Sequence, residues 1–169
     1  IATPIAYLSA IASAARQGVP IKGGVYLELL ARCRGIVFDK TGTLTVGQPS
    51  LVSIVTNDDL SAATALQIAG ALEASSSHPL ASAINKALAE RGLDHLHADR
   101  VELLAGHGIR GEIDGRTVAL GRYESIAEYL PESLRPAMLA SAEQARASGR
   151  TATLLAYDGK AALLVFEDP

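Results

Sequence analysis

The sequence has no tryptophan, one cysteine, one methionine and two phenylalanines among its 169 residues, and aromatic residues make up only 4% of it. Any core must therefore be packed from Ala, Leu, Ile and Val. The lone Cys33 excludes an internal disulfide framework and a Cys-x-x-Cys metal site; it reads as a small hydrophobe or an idle thiol. There is no basic excess either. The formal net charge is -3, which argues against a general nucleic-acid binder. A complete hydrophobic span is also missing. Residues 1–15 carry no charge and then run into Arg16, whereas a bilayer span needs roughly 20 apolar residues and a signal peptide needs a basic start. We read residues 1–15 as the end of a membrane helix within a piece of a longer protein, with a buried core helix as the alternative.

What is present suits a globular chain. Residues of the AVILMFWYC set make up 49% and charged residues 20%, a balance that supports a core and excludes wholesale disorder. Charge is unevenly placed: Arg16, Lys22, Arg32 and Arg34 against Glu28 give residues 1–35 a net +3, which leaves -6 for the remainder.

Gly18, Pro20, Gly23 and Gly24 interrupt the first helix, and Val25–Arg34 reads as a short second one. Gly35-Ile36-Val37-Phe38 is an apolar run of the kind a buried parallel strand uses, and it ends at Asp39. Beyond Gly47 and Pro49, residues 51–56 predict a strand. Asn57, Asp58 and Asp59 are N-cap candidates for a helix carrying Leu60, Leu66, Ile68, Ala69 and Leu72. A second helix should start at Pro79 and stop near Gly92. Strands follow at 101–105, 109–113 and 117–120, then a helix at 136–148, then strands at 151–157 and 160–166. Asp114-Gly115 and Asp158-Gly159 are hairpin turns. Antiparallel strands mixed with helix pairs predict an α+β domain over residues 51–163.

The strongest chemical signal is Asp39-Lys40-Thr41-Gly42-Thr43-Leu44-Thr45, placed directly after the apolar run. Ligand sites in open α/β sheets lie beyond the carboxyl ends of strands. A carboxylate there can attack a phosphoryl group to form an aspartyl phosphate, with a magnesium ion offsetting the negative charge. Gly42 lets the chain fold back near the phosphate. This motif resembles the phosphorylation loop of P-type ATPases, within the haloacid-dehalogenase-like superfamily. Phosphatases of that superfamily carry a second aspartate two residues after the nucleophile; Thr41 stands there and cannot act as a general base at neutral pH.

Glu73-Ala74-Ser75-Ser76-Ser77-His78-Pro79-Leu80 resembles the glutamate-to-His-Pro motif of the heavy-metal-transporting branch, where it helps to orient ATP. Taken alone, His78 is a helix cap or a packed surface residue. Gly106-His107-Gly108-Ile109-Arg110-Gly111 matches G-x-G-x-x-G, but a dinucleotide site requires a helix to follow, and the alternation here predicts a strand. It is closer to the GxG motif of the same branch, with Gly111 easing a tight strand connection as the plainer alternative. Gly121 matches that branch's Gly-Asn pair, whereas Arg122 replaces the asparagine; its guanidinium could reach a phosphate instead. His95 and His97, in Asp94–Asp99, have no specified third ligand and read as a solvated turn. Residues 1–34 resemble the membrane helix and stalk preceding the loop in heavy-metal ATPases.

The resemblance implies a division into 1–34 (end of a membrane helix and stalk), 35–50 (start of the phosphorylation domain), 51–163 (nucleotide-binding domain) and 164–169 (return to the phosphorylation domain). The nucleotide-binding domain would be an antiparallel sheet flanked by helix pairs, inserted in a haloacid-dehalogenase-like α/β domain represented by its first strand and loop. Asp39 would be the nucleophile, Lys40 its electrostatic support, and Thr41 a phosphate and magnesium contact; Asp39 and Thr41 alone make an incomplete magnesium site. ATP would be held by Glu73, His78, Gly106, Gly108, Ile109 and Gly121. The implied partners are the membrane and actuator domains of the same ATPase and a transported heavy-metal cation, with this portion on the cytoplasmic side of a membrane. Other readings are a soluble haloacid-dehalogenase-like phosphatase and a non-catalytic nucleotide-binding module.

Overall fold

Residues 161–166 (Ala-Ala-Leu-Leu-Val-Phe) are buried without interruption. An antiparallel strand can do this only if both faces of its sheet are covered. The computed structural model, which describes residues 2–57, 60–104 and 108–169 without the side chains of residues 2, 3, 40 and 41, shows that arrangement. The strands are β1 (Ser50–Thr56), β2 (Asp99–Leu104), β3 (Gly108–Ile113), β4 (Arg116–Gly121), β5 (Thr151–Tyr157) and β6 (Lys160–Glu167). They form one sheet in the order β1-β6-β5-β4-β3-β2, antiparallel throughout.

Helices α3 (Ala62–Glu73) and α4 (Pro79–Glu90) cover one face. Leu66, Ile68, Leu72, Ile84 and Leu88 there meet Val118, Leu120, Leu155, Leu164 and Phe166 from the sheet. The opposite face is covered by the short α5 (Tyr123–Ile126) and by α6 (Arg135–Ala147). Ile126, Met138, Ala142 and Ala145 there meet Ala119, Leu154, Leu163 and Val165. Neighbouring residues of β4, β5 and β6 thus serve opposite cores, as a period of two requires. The helix pair α3–α4 was predicted; α5 was not.

Local chemistry accounts for most boundaries. Pro79 occupies the first turn of α4, and Gly92, just beyond its end, has φ 62°. Asp114-Gly115 and Asp158-Gly159 have positive φ at both positions, as type I′ hairpins need. The cap of α3 differs from expectation. Ser61 Oγ accepts from Thr64 N at 3.0 Å, while Asn57 Oδ1 accepts from Ala161 N at 2.8 Å, tying β1 to β6. Asp58 and Asp59 lie outside the described residues.

The chain divides into two units, Ile1–Asp39 and Lys40–Pro169. The first contains α1 (Ala2–Arg16) and α2 (Gly24–Ala31), linked by a hydrogen bond from the Tyr7 hydroxyl to Glu28. Among the described residues no helix is long and apolar enough to cross a membrane. The strand expected at Gly35–Phe38 is not formed. The segment is irregular, and Ile36, Val37 and Phe38 are exposed, Val37 at 99%. A parallel strand exists only through hydrogen bonds to neighbours, and the sheet described here pairs none of its strands with this run.

In the second unit Lys40–Leu44 forms one π-helical turn. The stretch after it is fastened to the far end of the chain. Thr45 Oγ1 donates to Asp168 Oδ2 at 2.6 Å, Gln48 N to Asp168 Oδ1 at 3.1 Å, and Val46 N to Pro169 O at 2.8 Å. Entry to and exit from the sheet therefore run side by side, continuing the β1–β6 pairing.

Candidate functional site

Five of the six residues expected to hold a nucleotide line one cleft of about 300 Å³: Glu73, His78, Gly108, Ile109 and Gly121. They come from the end of α3, the start of α4, the start of β3 and the end of β4. The sixth, Gly106, lies outside the described residues. Arg122 lines the same cleft, so the departure from Asn at this position places a cation at its rim.

A short turn presents Glu73 and His78 together. Ser76 N donates to Glu73 O at 3.0 Å, and His78 N donates to Ser76 Oγ at 3.2 Å. His78 is the N-cap of α4, its Nδ1 accepting from Leu80 N at 3.1 Å. His78 thus both caps α4 and lines the cleft. An Nδ1 occupied as acceptor puts the proton of a neutral ring on Nε2, which is left as a donor. The Glu73 side chain is half-buried and makes no ion pair among the described residues. Such a carboxylate can accept from an amine or a hydroxyl of a ligand.

The cleft also has an apolar wall, of which sequence reasoning named Ile109 and missed Leu103. Leu103 is paired with Ile109 across the β2–β3 ladder, so the two side chains stand on one face. Leu103 is 86% exposed on an edge strand, and Leu80 lies nearby in the lining. A flat heterocycle is the kind of group such a wall accepts. The alternation of Val101 and Leu103 along β2 was the available signal. Ser76, Thr151 and Thr153 add hydroxyls to the lining, and nothing in their sequence context marks them.

Gly108 has a second role besides lining the cleft. A Cβ on it would lie 3.2 Å from Ser125 Cβ and 3.4 Å from Leu120 O, so its bareness lets α5 approach β3 and β4. Gly111 is required more strictly, since a Cβ there would sit 2.9 Å from Leu72 Cδ2 and 3.0 Å from Asp99 O. The plainer reading of Gly111, a close strand approach, is the one its surroundings support. A strand, not a helix, follows Gly106-His107-Gly108, which removes the dinucleotide reading. On the outer surface Arg110 donates to the Tyr129 hydroxyl at 3.1 Å and pairs with Glu102. The hydrogen bond to Tyr129 and then that to Glu102 hold its pKa above the usual arginine value. His97 Nε2 lies 3.1 Å from Asp99 Oδ1, with both side chains exposed at the start of β2.

Asp39 is exposed at the end of the first unit; the side chains of Lys40 and Thr41 are not among those described. Among the described residues no group of three or more His, Cys, Asp or Glu side chains is placed to hold a metal ion. Asp168 has its two oxygens engaged by Thr45 and Gln48. The donor set among the described residues does not fit a complete magnesium site.

The model of the haloacid dehalogenase-like hydrolases matches residues 33–168. A copper-exporting P-type ATPase of Legionella pneumophila is 39% identical over 170 residues, spanning 100% of this chain and 23% of that protein. A manganese-exporting P-type ATPase of Mycobacterium bovis is 40% identical over 162 residues, covering 94% of this chain and 22% of the relative. The chain thus spans less than a quarter of the length of these curated relatives. A crystal structure of a zinc-transporting PIB-type ATPase in its E2.Pi state superposes with a TM-score of 0.74 at 33% identity, over 99% of this chain and 27% of that one. The catalytic domain of the CPx-ATPase CopB-B, whose conformational changes upon nucleotide binding have been described, shares the fold with a TM-score of 0.63 at 24% identity, over 94% of this chain and 52% of that one.

Proposed function

Because the chain belongs to the haloacid dehalogenase-like hydrolases, and among them to the heavy-metal P-type ATPases, we propose that it is the ATP-binding portion of a membrane ATPase that moves a heavy-metal cation through an aspartyl-phosphate intermediate. The observation that carries this reading is the convergence of Glu73, His78, Gly108, Ile109 and Gly121, from separate segments, on one cleft. In this assignment the adenine ring lies against Ile109 and Leu103. The Nε2 proton of His78 and the Glu73 carboxylate fix its orientation, and Gly106 belongs to the same site.

Asp39 is the residue assigned to take the phosphoryl group, with Lys40 as electrostatic support and Thr41 as a phosphate contact. Attack by a carboxylate oxygen on the terminal phosphorus of ATP forms the acyl phosphate and releases ADP. With Thr41 in place of an acidic side chain, no general base stands two residues on to activate water, so the intermediate persists. A transport cycle uses that lifetime, whereas a phosphatase does not.

Residues 51–163 are assigned as a nucleotide-binding domain inserted between the apolar run at 35–38 and residues 164–169. The hydrogen bonds joining Thr45, Val46 and Gln48 to Asp168 and Pro169 support an insertion with adjacent ends. The remaining partners are the membrane and actuator domains of the same ATPase and the cation they carry, with this portion facing the cytoplasm. Since magnesium ligands are incomplete here, the 169-residue chain binds nucleotide without turning it over.

Titration with ATP followed by amide NMR tests the site. The expected perturbations fall on 73–80 and 104–110, and His78→Gln should weaken binding by about 1–3 kcal/mol through the lost hydrogen bond. Perturbations that avoid both segments would refute the site. Turnover is tested separately. Steady ATP hydrolysis by this chain, abolished in Asp39→Asn, would contradict the binding-only assignment, and hydrolysis of small phosphate esters would favour the phosphatase.

A further inference from the structure

A second cavity, about 500 Å³, adjoins the cleft and shares Arg122 with it. It lies where the end of α6 meets the start of β5. Its charged lining is Arg122, Arg146 and Arg150 with Glu124 and Glu143, a local surplus of positive charge in a chain of net charge -3. Arg122, Thr151 and Ala152 line both cavities.

The arginines are poorly neutralised. Neither Arg122 nor Arg146 makes an ion pair among the described residues, nor does Glu124 or Glu143. Arg150 reaches Glu167 only at 3.7 Å, with both side chains about half exposed, well beyond the 2.7–2.9 Å or so of a charge-assisted hydrogen bond. Plain structural roles cover part of this. Arg146 stands in the last turn of α6, where a cation complements the helix dipole, and Arg150 has its distant partner. Neither role explains why Arg122, exposed and making no capping bond at the start of α5, should face the same space.

We infer that this cavity is an anion site for phosphate groups, with Arg122 at the junction and Arg146 and Arg150 at the far wall. Guanidinium forks match phosphate oxygens bidentately, and an anion there relieves the repulsion among three like charges. The phosphate is either the tail of a nucleotide whose base sits in the neighbouring cleft or a separate phosphate bound beside it. The first source rests on the nucleotide reading of the cleft; the second does not.

Calorimetric titrations of the 169-residue chain in about 50 mM salt, where surface charge is little screened, separate these cases. The probes are AMP, ATP and inorganic tripolyphosphate, against wild type, the Arg146→Gln/Arg150→Gln double variant and Glu143→Gln. Both arginines are exposed, so circular dichroism should find the double variant folded. If the tail of the nucleotide enters the cavity, the double variant loses much of the preference for ATP over AMP, about fivefold per guanidinium, with AMP affinity unchanged. If a separate phosphate enters, tripolyphosphate binds alongside saturating AMP and weakens by a similar factor, with ATP unaffected. Glu143→Gln should tighten whichever ligand responds. The inference is overturned if wild type binds no tripolyphosphate and shows no preference for ATP over AMP, or if the double variant matches wild type in both. Should neither AMP nor ATP bind wild type, the cleft assignment fails by itself; arginine-dependent binding of tripolyphosphate would still uphold the cavity.

Discussion

Replacing Gly111 by alanine tests whether the β2–β3 pair, which carries Leu103 and Ile109 of the cleft, is held by close packing against α3. The added methyl would lie 2.9 Å from Leu72 Cδ2, 3.0 Å from the Asp99 carbonyl oxygen and 3.2 Å from Val101 Cγ2, where ordinary contact lies at 3.4–4 Å. Leu72 is buried in α3 and has no room to turn, and Asp99 O is backbone. Relief must come from moving β2 away from β3 by several tenths of an ångström. Overpacking of this sort costs about 1–3 kcal/mol. Against it stands a gain of about 0.4–1 kcal/mol from the smaller conformational freedom of alanine in the unfolded chain. The net loss is about 1–2 kcal/mol, which for a chain of 169 residues lowers Tm by about 2–8 °C. Thermal unfolding followed by circular dichroism measures it. Because Leu103 and Ile109 face each other across the strands being separated, ATP affinity should fall as well. Gly92→Ala is the control. It has φ 62° and nothing within 4 Å of its added carbon, so it suffers only left-handed strain of about 1 kcal/mol and leaves nucleotide affinity alone. A Tm for Gly111→Ala equal to or above that of wild type, with ATP binding unchanged, would refute the packing argument.

Two further perturbations address the framework around the cleft. Phe166→Ala removes a fully buried ring from the core between the sheet and α3–α4; a loss of about 3–5 kcal/mol is expected, read as a lower urea midpoint, and a midpoint within error of wild type would show that this core is not what stabilises the sheet. Thr45→Val deletes the hydroxyl that donates to Asp168; amide exchange at Val46 and Gln48 should speed up by severalfold while β4 and β5 are unaffected, and unchanged exchange would mean that residues 45–48 are held to Asp168 and Pro169 without that bond.

Much of the fold was legible because its signals are local. Pro79 and Gly92 bracket one helix, and the two Asp-Gly pairs each specify a hairpin within four residues. The site was legible in its polar part for the same reason: Glu73 and His78 lie on one short turn, so their spacing already brings them together. What escaped depends on partners distant in sequence. Ser61 caps α3, and not Asn57, because Asn57 is committed to the backbone of β6, over a hundred residues away. Leu103 belongs to the cleft only through its register with Ile109, and Arg150 joins Arg122 only through the alignment of β5 with β4.

Gly35–Phe38 is the instructive failure. Its apolar composition suits a strand buried on both faces, yet no strand forms and Ile36, Val37 and Phe38 lie exposed in an irregular segment. The two facts are compatible. Burying three such side chains yields about 1.5–3 kcal/mol each, but only where hydrogen-bonded neighbours accept the backbone, and the sheet described here, in the order β1-β6-β5-β4-β3-β2, does not include this run. An apolar run specifies that a strand will form when a sheet is offered, not that the sheet is present. The proposed phosphorylation domain is where such neighbours would come from, and Asp39, next in sequence, would acquire its catalytic position from that sheet and not from the loop alone.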